Sequence, residues 1–247
     1  MEQREEVWRQ LHTVVDPELD EPVTDMGFIS RAEVDANDCV HIDFRLPTYW
    51  CAANFAFMMA DDMRTAVREL PWVKGTKIVL GDHMYADTIN HGVARGLSFQ
   101  ETFAGEATGN LDELRRTFLV KAFQRRQEAM INHLLNAGFE AGRIVTLKIK
   151  ELKVLNFDSE GRKLLERYLE RRDVISIAPP EACAFVSSDG NNLPEQELNA
   201  YLAALRRVRA NAEFNGALCR GLLEVRFDIT TPLPGKTDPS CKPAAHP

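Results

Sequence analysis

The sequence has no excess of positive charge and no long apolar segment. Its 247 residues carry a formal net charge of -7, whereas nucleic acids and anionic membranes favour a basic surface. No run approaches the roughly 18 apolar residues that a membrane helix requires. Residues 1–6 are charged and polar and lack the apolar core of a secretion signal. We therefore expect a cytoplasmic protein that binds neither nucleic acid nor a membrane.

Cysteines are few and scattered. The chain has five, and no two of them form a Cys-x-x-Cys pair: Cys39, Cys51, Cys183, Cys219 and Cys241. This spacing argues against a disulfide framework and against a structural zinc site of the usual kind. Cys183 and Cys219 stand in apolar contexts that are typical of a core. A thiol with a function would act alone or beside a group that folding or another chain brings to it.

Motifs typical of nucleotide-driven enzymes and of serine hydrolases are also missing. The sequence around Gly109 lacks the lysine and the preceding strand of a phosphate loop, and no Gly-x-Ser-x-Gly elbow occurs. A thiol-dependent enzyme would need a base near its cysteine. Folding would have to bring His12, His41 or His83 to that position. The sequence therefore favours an accessory protein over a self-contained enzyme.

The first 95 residues alternate between helical and strand periodicity. Apolar spacing predicts helices over 3–14 and 51–70. Strict alternation over 39–46 predicts a half-buried strand, which forms a hairpin with a strand that begins near Gly27. A third strand is expected over 73–80. This order predicts an α+β fold, a two-layer domain with a short mixed sheet and helices on one face.

The remaining chain is mainly helical in pattern. We predict helices over 85–93, 111–135, 160–172 and 194–213, and short strands at 184–186 and 223–227. In the long helix over 111–135, the arginines are expected to face water: Arg115, Arg116, Arg125 and Arg126.

These patterns divide the chain into three parts. We predict an α+β domain over 1–95, a mainly helical domain over 96–229 and a disordered tail over 230–247. The tail is rich in proline and poor in apolar residues, so it cannot bury a core of its own.

Cys51 is the strongest candidate for chemistry. It follows a strand-ending Pro-Thr-Tyr-Trp turn and precedes a predicted helix. Unpaired N–H groups and the positive end of a helix dipole favour a thiolate, the form that binds metal. The hydroxyl of Thr48 is expected to cap the helix or donate to the sulfur. The alternative is that Cys51 fills the junction between sheet and helix as a small apolar residue.

Asp16, Glu18 and Asp25 form an acidic group before the first strand. They are candidate metal ligands, or groups that tune the Cys51 thiol. The alternative is turn chemistry, because aspartates accept hydrogen bonds from turn N–H groups.

Asp87 and His91 are candidates for a second metal site. They are four residues apart, and a helix would place them on one face. Two ligands seldom hold a transition metal, so a capping aspartate and a surface histidine are the alternative.

The N-terminal 95 residues resemble the small iron–sulfur assembly factors related to the SufT and PaaD proteins. The resemblance is carried by Val15-Asp-Pro-Glu18, Val23-Thr-Asp-Met-Gly-Phe-Ile29 and Leu46-Pro-Thr-Tyr-Trp-Cys51, in this order between the predicted elements. It implies a small α+β domain and a reactive cysteine at Cys51, with Asp16, Glu18, Asp25 and Thr48 near it. Two features differ from the family pattern: Ala52 stands where proline is usual, and the last 150 or so residues have no counterpart in the short members.

The resemblance implies an accessory factor that binds iron or an iron–sulfur cluster transiently and delivers it to a client metalloenzyme. A second protomer or the client would supply the missing ligands, so a homodimer is one option. Longer proteins of this shape resemble factors that accompany bacterial multicomponent di-iron monooxygenases, which would make the client a monooxygenase subunit. The alternative is a metal-independent chaperone or interaction module whose helical half binds an immature subunit.

Overall fold

A computed structural model describes residues 2–104 and 111–228. The strands are β1 (Ile29–Val34), β2 (Cys39–Arg45) and β3 (Gly75–Gly81). The helices are α1 (Glu2–Thr13), α2 (Ala53–Arg68), α3 (Ala86–Arg95), α4 (Phe99–Thr102), α5 (Leu111–Asn136), α6 (Ala141–Thr146), α7 (Ile149–Val154), α8 (Ser159–Arg172) and α9 (Leu198–Phe227), with a 3₁₀ turn at Glu195–Glu197 before α9. The predicted tail over 230–247, with Cys241, lies outside the described residues.

The three strands form one mixed sheet in the order β1-β2-β3. β1 and β2 are an antiparallel hairpin, whereas β3 runs parallel to β2 with Cys39 opposite Gly75 and Arg45 opposite Gly81. A parallel pair needs a crossover connection, and α2 provides it. The predicted hairpin and third strand are confirmed.

One face of this sheet forms the first hydrophobic core. Val40, Ile42 and Phe44 alternate along β2 and are buried, while the residues between them are half-buried. Helices α2 and α3 pack against β3, and α1 packs against β1 and α2. The α+β prediction with helices on one face of a short mixed sheet, followed by a mainly helical region, is confirmed.

A second hydrophobic core lies in the helical region. It contains the large buried side chains of Phe123, Tyr168 and Phe185 and residues from α5 to α9. Gln127 on α5 is fully buried, and its side chain donates to the carbonyl of Val186 at 2.8 Å and accepts from the N–H of Val186 at 3.2 Å. The Val186 backbone lies outside any helix, and Gln127 therefore supplies hydrogen-bond partners for its N–H and carbonyl groups inside this core.

Two short strands predicted in the helical region are wrong. Residues 223–227 form the last turns of α9. Their alternating pattern also fits a helix, because Leu223 and Phe227 are four residues apart and both pack on the first core, while Val225 is 85% exposed. Residues 184–186 form only an isolated bridge through Val186 and Asn192.

The expectation that the arginines of α5 face water is wrong for Arg126. Its side chain is buried against Asp20, with 2.6 Å between Nε and Oδ2. Arg171 on α8 approaches the same carboxylate at 2.9 Å. Asp20 has a φ of 52°, which is a left-handed backbone conformation that aspartate tolerates. Asp20 thus ties the N-terminal segment to α5 and α8.

Within the described residues, no helix is both long enough and apolar enough to cross a lipid bilayer.

Asp20→Asn is expected to lower the free energy of unfolding by about 3 kcal/mol, because it removes the buried carboxylate that Arg126 and Arg171 share and leaves Arg126 only the exposed carboxylate of Glu170. Asn also tolerates the left-handed backbone at this position, so the change isolates the charge. Denaturant unfolding followed by circular dichroism and tryptophan fluorescence measures it.

Glu213→Gln is the matched control, because it removes the exposed ion pair of Glu213 with Arg209 on α9. Its cost should stay below about 0.5 kcal/mol. Equal effects of the two substitutions would show that the buried pair does not tie the two parts of the chain together.

Candidate functional site

Cys51 lies in the loop between β2 and α2. Its Sγ is 3.1 Å from the hydroxyl oxygen of Thr48, and the residue is half-buried against the first core. The buried residues Leu46 and Pro47 follow the end of β2, and the turn then returns so that the Cys51 N–H points to the Thr48 carbonyl at 3.5 Å. α2 begins two residues after Cys51, at Ala53, and its cap residue Ala52 offers no side-chain acceptor. Thr48 contacts the sulfur, which is one of the two roles expected for it.

His83 fixes the backbone of this loop. The ring is buried, its Nε2 lies 2.8 Å from the carbonyl oxygen of Cys51, and its Nδ1 accepts the Tyr85 N–H at 3.1 Å. Both ring nitrogens are therefore engaged by the backbone, which makes His83 a positioning residue and not a base for the sulfur. The other two histidines considered from the sequence contact different groups: His12 contacts Thr24, and His41 contacts Asp35.

Asp16 is a buried carboxylate. Its Oδ1 accepts the N–H groups of Glu18 and Leu19, each at 2.9 Å, which is the turn role that the sequence offered as the alternative. Burial raises the pKa of Asp16 to about 6, against the lowering effect of these two hydrogen bonds. A carboxylate that titrates this close to neutral pH binds a cation or a proton readily.

Glu18 and Asp25 lie in different surroundings. Glu18 accepts from the side chain of Asn215 on α9 at 3.0 Å. Asp25 is exposed and pairs with His12 at 3.3 Å. Both His12 and Asp25 line a cavity of about 780 Å³ that α5 and α8 border and whose lining mixes acidic and basic side chains.

Cys219 is the residue that sequence reasoning missed. It lies on α9, half-buried on the first core together with Cys51. Burial, together with the electrostatic influence of Asp16, Cys51 and Glu18, raises the pKa of its thiol to about 11. Cys219 therefore lies on the side of α9 that faces these groups, one turn after Asn215, which contacts Glu18. The apolar context of Cys219 predicted packing correctly, but no local pattern relates position 219 to position 51.

Helix α9 reaches the site because its last turns dock on the N-terminal domain. Arg220 binds Glu21 at 2.6 Å, and Arg226 binds the carboxylate of Asp82 at 2.6 Å and the carbonyl of Leu46 at 3.1 Å. Leu223 packs beside Gly27, whose φ of 72° is the left-handed conformation that favours glycine.

Three large side chains are exposed on the two segments next to Cys51. Trp50 is 72% exposed, and Tyr49 and Met84 are each about half exposed. The Met84 N–H donates to the Tyr49 carbonyl at 2.9 Å, so the two segments are joined. Exposed aromatic groups beside a site are typical of surfaces that bind another protein.

Asp87 and His91 lie on α3, four residues apart as expected. The guanidinium of Arg95 approaches His91 Nε2 at 3.3 Å. A cation therefore already lies beside the nitrogen that a metal would use.

Comparison with known proteins finds matches in the N-terminal part of this chain. The family model described as iron–sulfur cluster assembly protein matches residues 4–80. An Fe-S protein maturation auxiliary factor from Porphyromonas gingivalis is 35% identical over 80 residues, which are 32% of this chain and 74% of that protein. The Fe-S protein maturation auxiliary factor YitW from Bacillus subtilis is 29% identical over 75 residues, which are 30% of this chain and 72% of that protein.

The family match includes Asp16, Glu18, Thr48 and Cys51, and it ends well before Cys219. The N-terminal α+β fold agrees with this match, and the chain belongs to the family of iron–sulfur cluster assembly proteins.

Proposed function

We propose that this chain acts in the maturation of iron–sulfur proteins as an accessory factor, and that Cys51 carries iron or a small cluster before a client protein receives it. The observation that supports this most is the half-buried Cys51 sulfur with the Thr48 hydroxyl at 3.1 Å, inside the matched region. Two relatives are named as maturation auxiliary factors. Thiolate is the usual protein ligand of iron–sulfur clusters.

The charges around Cys51 suit a cationic cargo. Asp16 and Glu18 lie within electrostatic reach of Cys219, and Asp16 and Cys219 both have raised pKa values because their charged forms are poorly solvated. A bound cation favours the charged forms, so loading would release protons. We propose Asp16, Glu18 and Cys219 as the groups that assist Cys51. Asp25, which pairs with His12, is a more distant candidate.

Transfer requires that the site hold its cargo incompletely. A site that closes fully around a metal retains it, whereas open ligand positions allow exchange. We propose that a client supplies the remaining ligands and docks on the exposed Tyr49 and Trp50 beside Cys51. The client is then an iron–sulfur protein. That the client is a di-iron monooxygenase subunit, and that the chain forms a homodimer, both stay predictions from the sequence.

Cys51→Ala is expected to leave the fold intact and to abolish loading and transfer. The purified protein is incubated anaerobically with ferrous iron and sulfide, and bound iron and visible absorption are measured. Transfer to an apo-ferredoxin is then followed by its absorption. Both signals should fall to the level of a protein-free sample.

Cys183→Ala is the matched control, because Cys183 is also half-buried but packs on the second core. It should load and transfer as the unchanged protein does. A Cys51→Ala protein that still yields a fully loaded ferredoxin would refute the proposed role of Cys51.

Asp16→Asn is expected to stabilise the fold and to weaken iron loading. The pKa of Asp16 rises from 3.8 to about 6 on folding, so the ionised carboxylate costs on the order of 3 kcal/mol at neutral pH. Asn keeps the oxygen that accepts the turn N–H groups and removes the charge.

The sign of this effect sets its pH dependence. The folded state binds the proton more tightly than the unfolded state, so the stability advantage of Asp16→Asn is full above pH 6 and disappears as the pH falls through 3.8. Urea unfolding of both proteins between pH 4 and pH 8 measures it. A variant that is less stable than the unchanged protein at pH 7.5 would contradict the account of Asp16 as a buried charge kept for binding.

A second candidate function is that of a metal-independent chaperone, and one surface favours it. The outer face of α9 carries exposed apolar side chains at helical spacing: Phe214, Leu218, Leu222 and Val225. Exposed apolar stripes of this kind are common where a helix binds a partner.

The double substitution Leu218→Glu and Leu222→Glu separates the two functions in a pull-down with an apo iron–sulfur client. If the chain is a carrier, Cys51→Ala should still bind the client without loading it, and the double variant should still load iron. If the chain is a chaperone, the double variant should lose the client while Cys51→Ala matures it normally.

A further inference from the structure

Three metal-binding side chains meet on the outer face of the sheet, apart from Cys51. Asp35 follows the end of β1, and Cys39 and His41 are alternate residues of β2. Alternate residues share a face of a strand, and the opposite face carries the buried Val40 and Ile42. One ligand atom from each of the three side chains lies within 4.8 Å of the other two.

This spacing matches what a small divalent cation needs. Bonds of about 2.0–2.3 Å in a tetrahedral site place ligand atoms roughly 3.3–3.8 Å apart. The Oδ2 of Asp35 and the Nε2 of His41 are already 3.2 Å apart. Small side-chain rotations are therefore sufficient to bring all three atoms onto one ion.

The backbone holds the carboxylate in position and leaves one of its oxygens for a ligand. Oδ1 of Asp35 accepts the N–H groups of Asn37 at 2.8 Å and Cys39 at 3.0 Å. Among the hydrogen bonds described for this side chain, Oδ2 takes part only in the one with the His41 ring. A carboxylate whose other oxygen is anchored in this way is oriented for metal binding.

The neighbouring strand leaves room for the sulfur. Gly75 lies opposite Cys39 in the parallel pair, and a Cβ at that position would lie 3.1 Å from the Cys39 Sγ. On β1, Glu33 lies opposite His41, and its carboxylate pairs with Arg31 at 3.2 Å. The sulfur is thus bordered by a residue without a side chain, and Glu33, the acid opposite His41, has its own partner.

We infer that Asp35, Cys39 and His41 form a binding site for a late first-row divalent cation, for which zinc is the best match. Thiolate and imidazole ligands select such ions over magnesium and calcium. Three protein ligands leave a fourth position for water, so the ion is exchangeable. Cys39 is the first residue of β2, and Cys51 lies beyond the last residue of this strand. The six residue steps along β2 span roughly 20 Å between the start of the strand and the segment that leads to Cys51. The site is therefore independent of the proposed role of Cys51.

Cobalt(II) is the probe, because its bound form reports thiolate ligands and tetrahedral geometry by absorption. Full-length protein kept reduced should bind one equivalent at this site, with a thiolate-to-cobalt band in the near ultraviolet and visible bands of a tetrahedral ion. Zinc should displace it. In a Cys51→Ser background, where the proposed iron site contributes no thiolate, Cys39→Ser should remove the near-ultraviolet band, and His41→Ala should weaken binding about tenfold or more.

Cys51→Ser is the matched control and should keep the near-ultraviolet band. A band that survives Cys39→Ser and is lost in Cys51→Ser would overturn the inference, and so would octahedral cobalt spectra without a thiolate band. Circular dichroism checks that each variant is folded. Should Cys39→Ser fail to fold, His41→Ala decides, because unchanged cobalt affinity in that variant also refutes the site. Failure of this experiment leaves the loading results for Cys51 unaffected.

Discussion

Helix α9 joins the two hydrophobic cores, and the composition of the candidate site depends on this contact. Leu198 and Leu202 pack in the second core, while Leu223 packs in the first. Asn215, Cys219 and Leu223 recur every four residues, so they share one face of the helix. Because Asn215 contacts Glu18 and Leu223 contacts Gly27, the cysteine between them must face the same domain. The part of this chain beyond the family match thus directs a second thiol toward the N-terminal domain.

The site around Cys51 combines poor solvation with negative charge. Asp16 is held in a turn by two N–H groups, yet burial still raises its pKa to about 6. A buried charge of this kind lowers the stability of the fold. Such losses of stability are common at functional sites, where residues suited to binding are kept in place of more stabilising ones. His83 contributes in another way, because it uses both ring nitrogens to hold the loop and not to take up protons from the sulfur.

Strand β2 separates two kinds of cysteine environment. At its start, Cys39 is half-buried beside Asp35 and His41, on the face opposite the buried Val40 and Ile42. Beyond its end, Cys51 packs against the first core. The two thiols therefore have different surroundings at the start of the strand and after its end.

Local sequence patterns were sufficient for most of the fold and for part of the site. Periodicities of 3.6 and 2 predicted α1, the hairpin, α2, β3, α3 and α5, because each pattern reflects burial on one face of a single element. The order of elements and the Leu46 to Cys51 segment identified the family and placed Thr48 beside Cys51. The strand predicted over 223–227 failed because alternation over five residues also fits a helix that buries every fourth residue.

Only the tertiary structure could decide what lies across the chain from each element. Arg126 looked like a surface residue in its own helix, and it is buried because Asp20, over 100 residues earlier, supplies the opposite charge. The proximity of Cys219 to Cys51 likewise depends on how α9 docks. The sequence by itself therefore determined the elements and the residue types at the site, since these follow from short-range periodicity. Long-range packing decided which charges and thiols became neighbours, because such contacts leave no trace in local spacing.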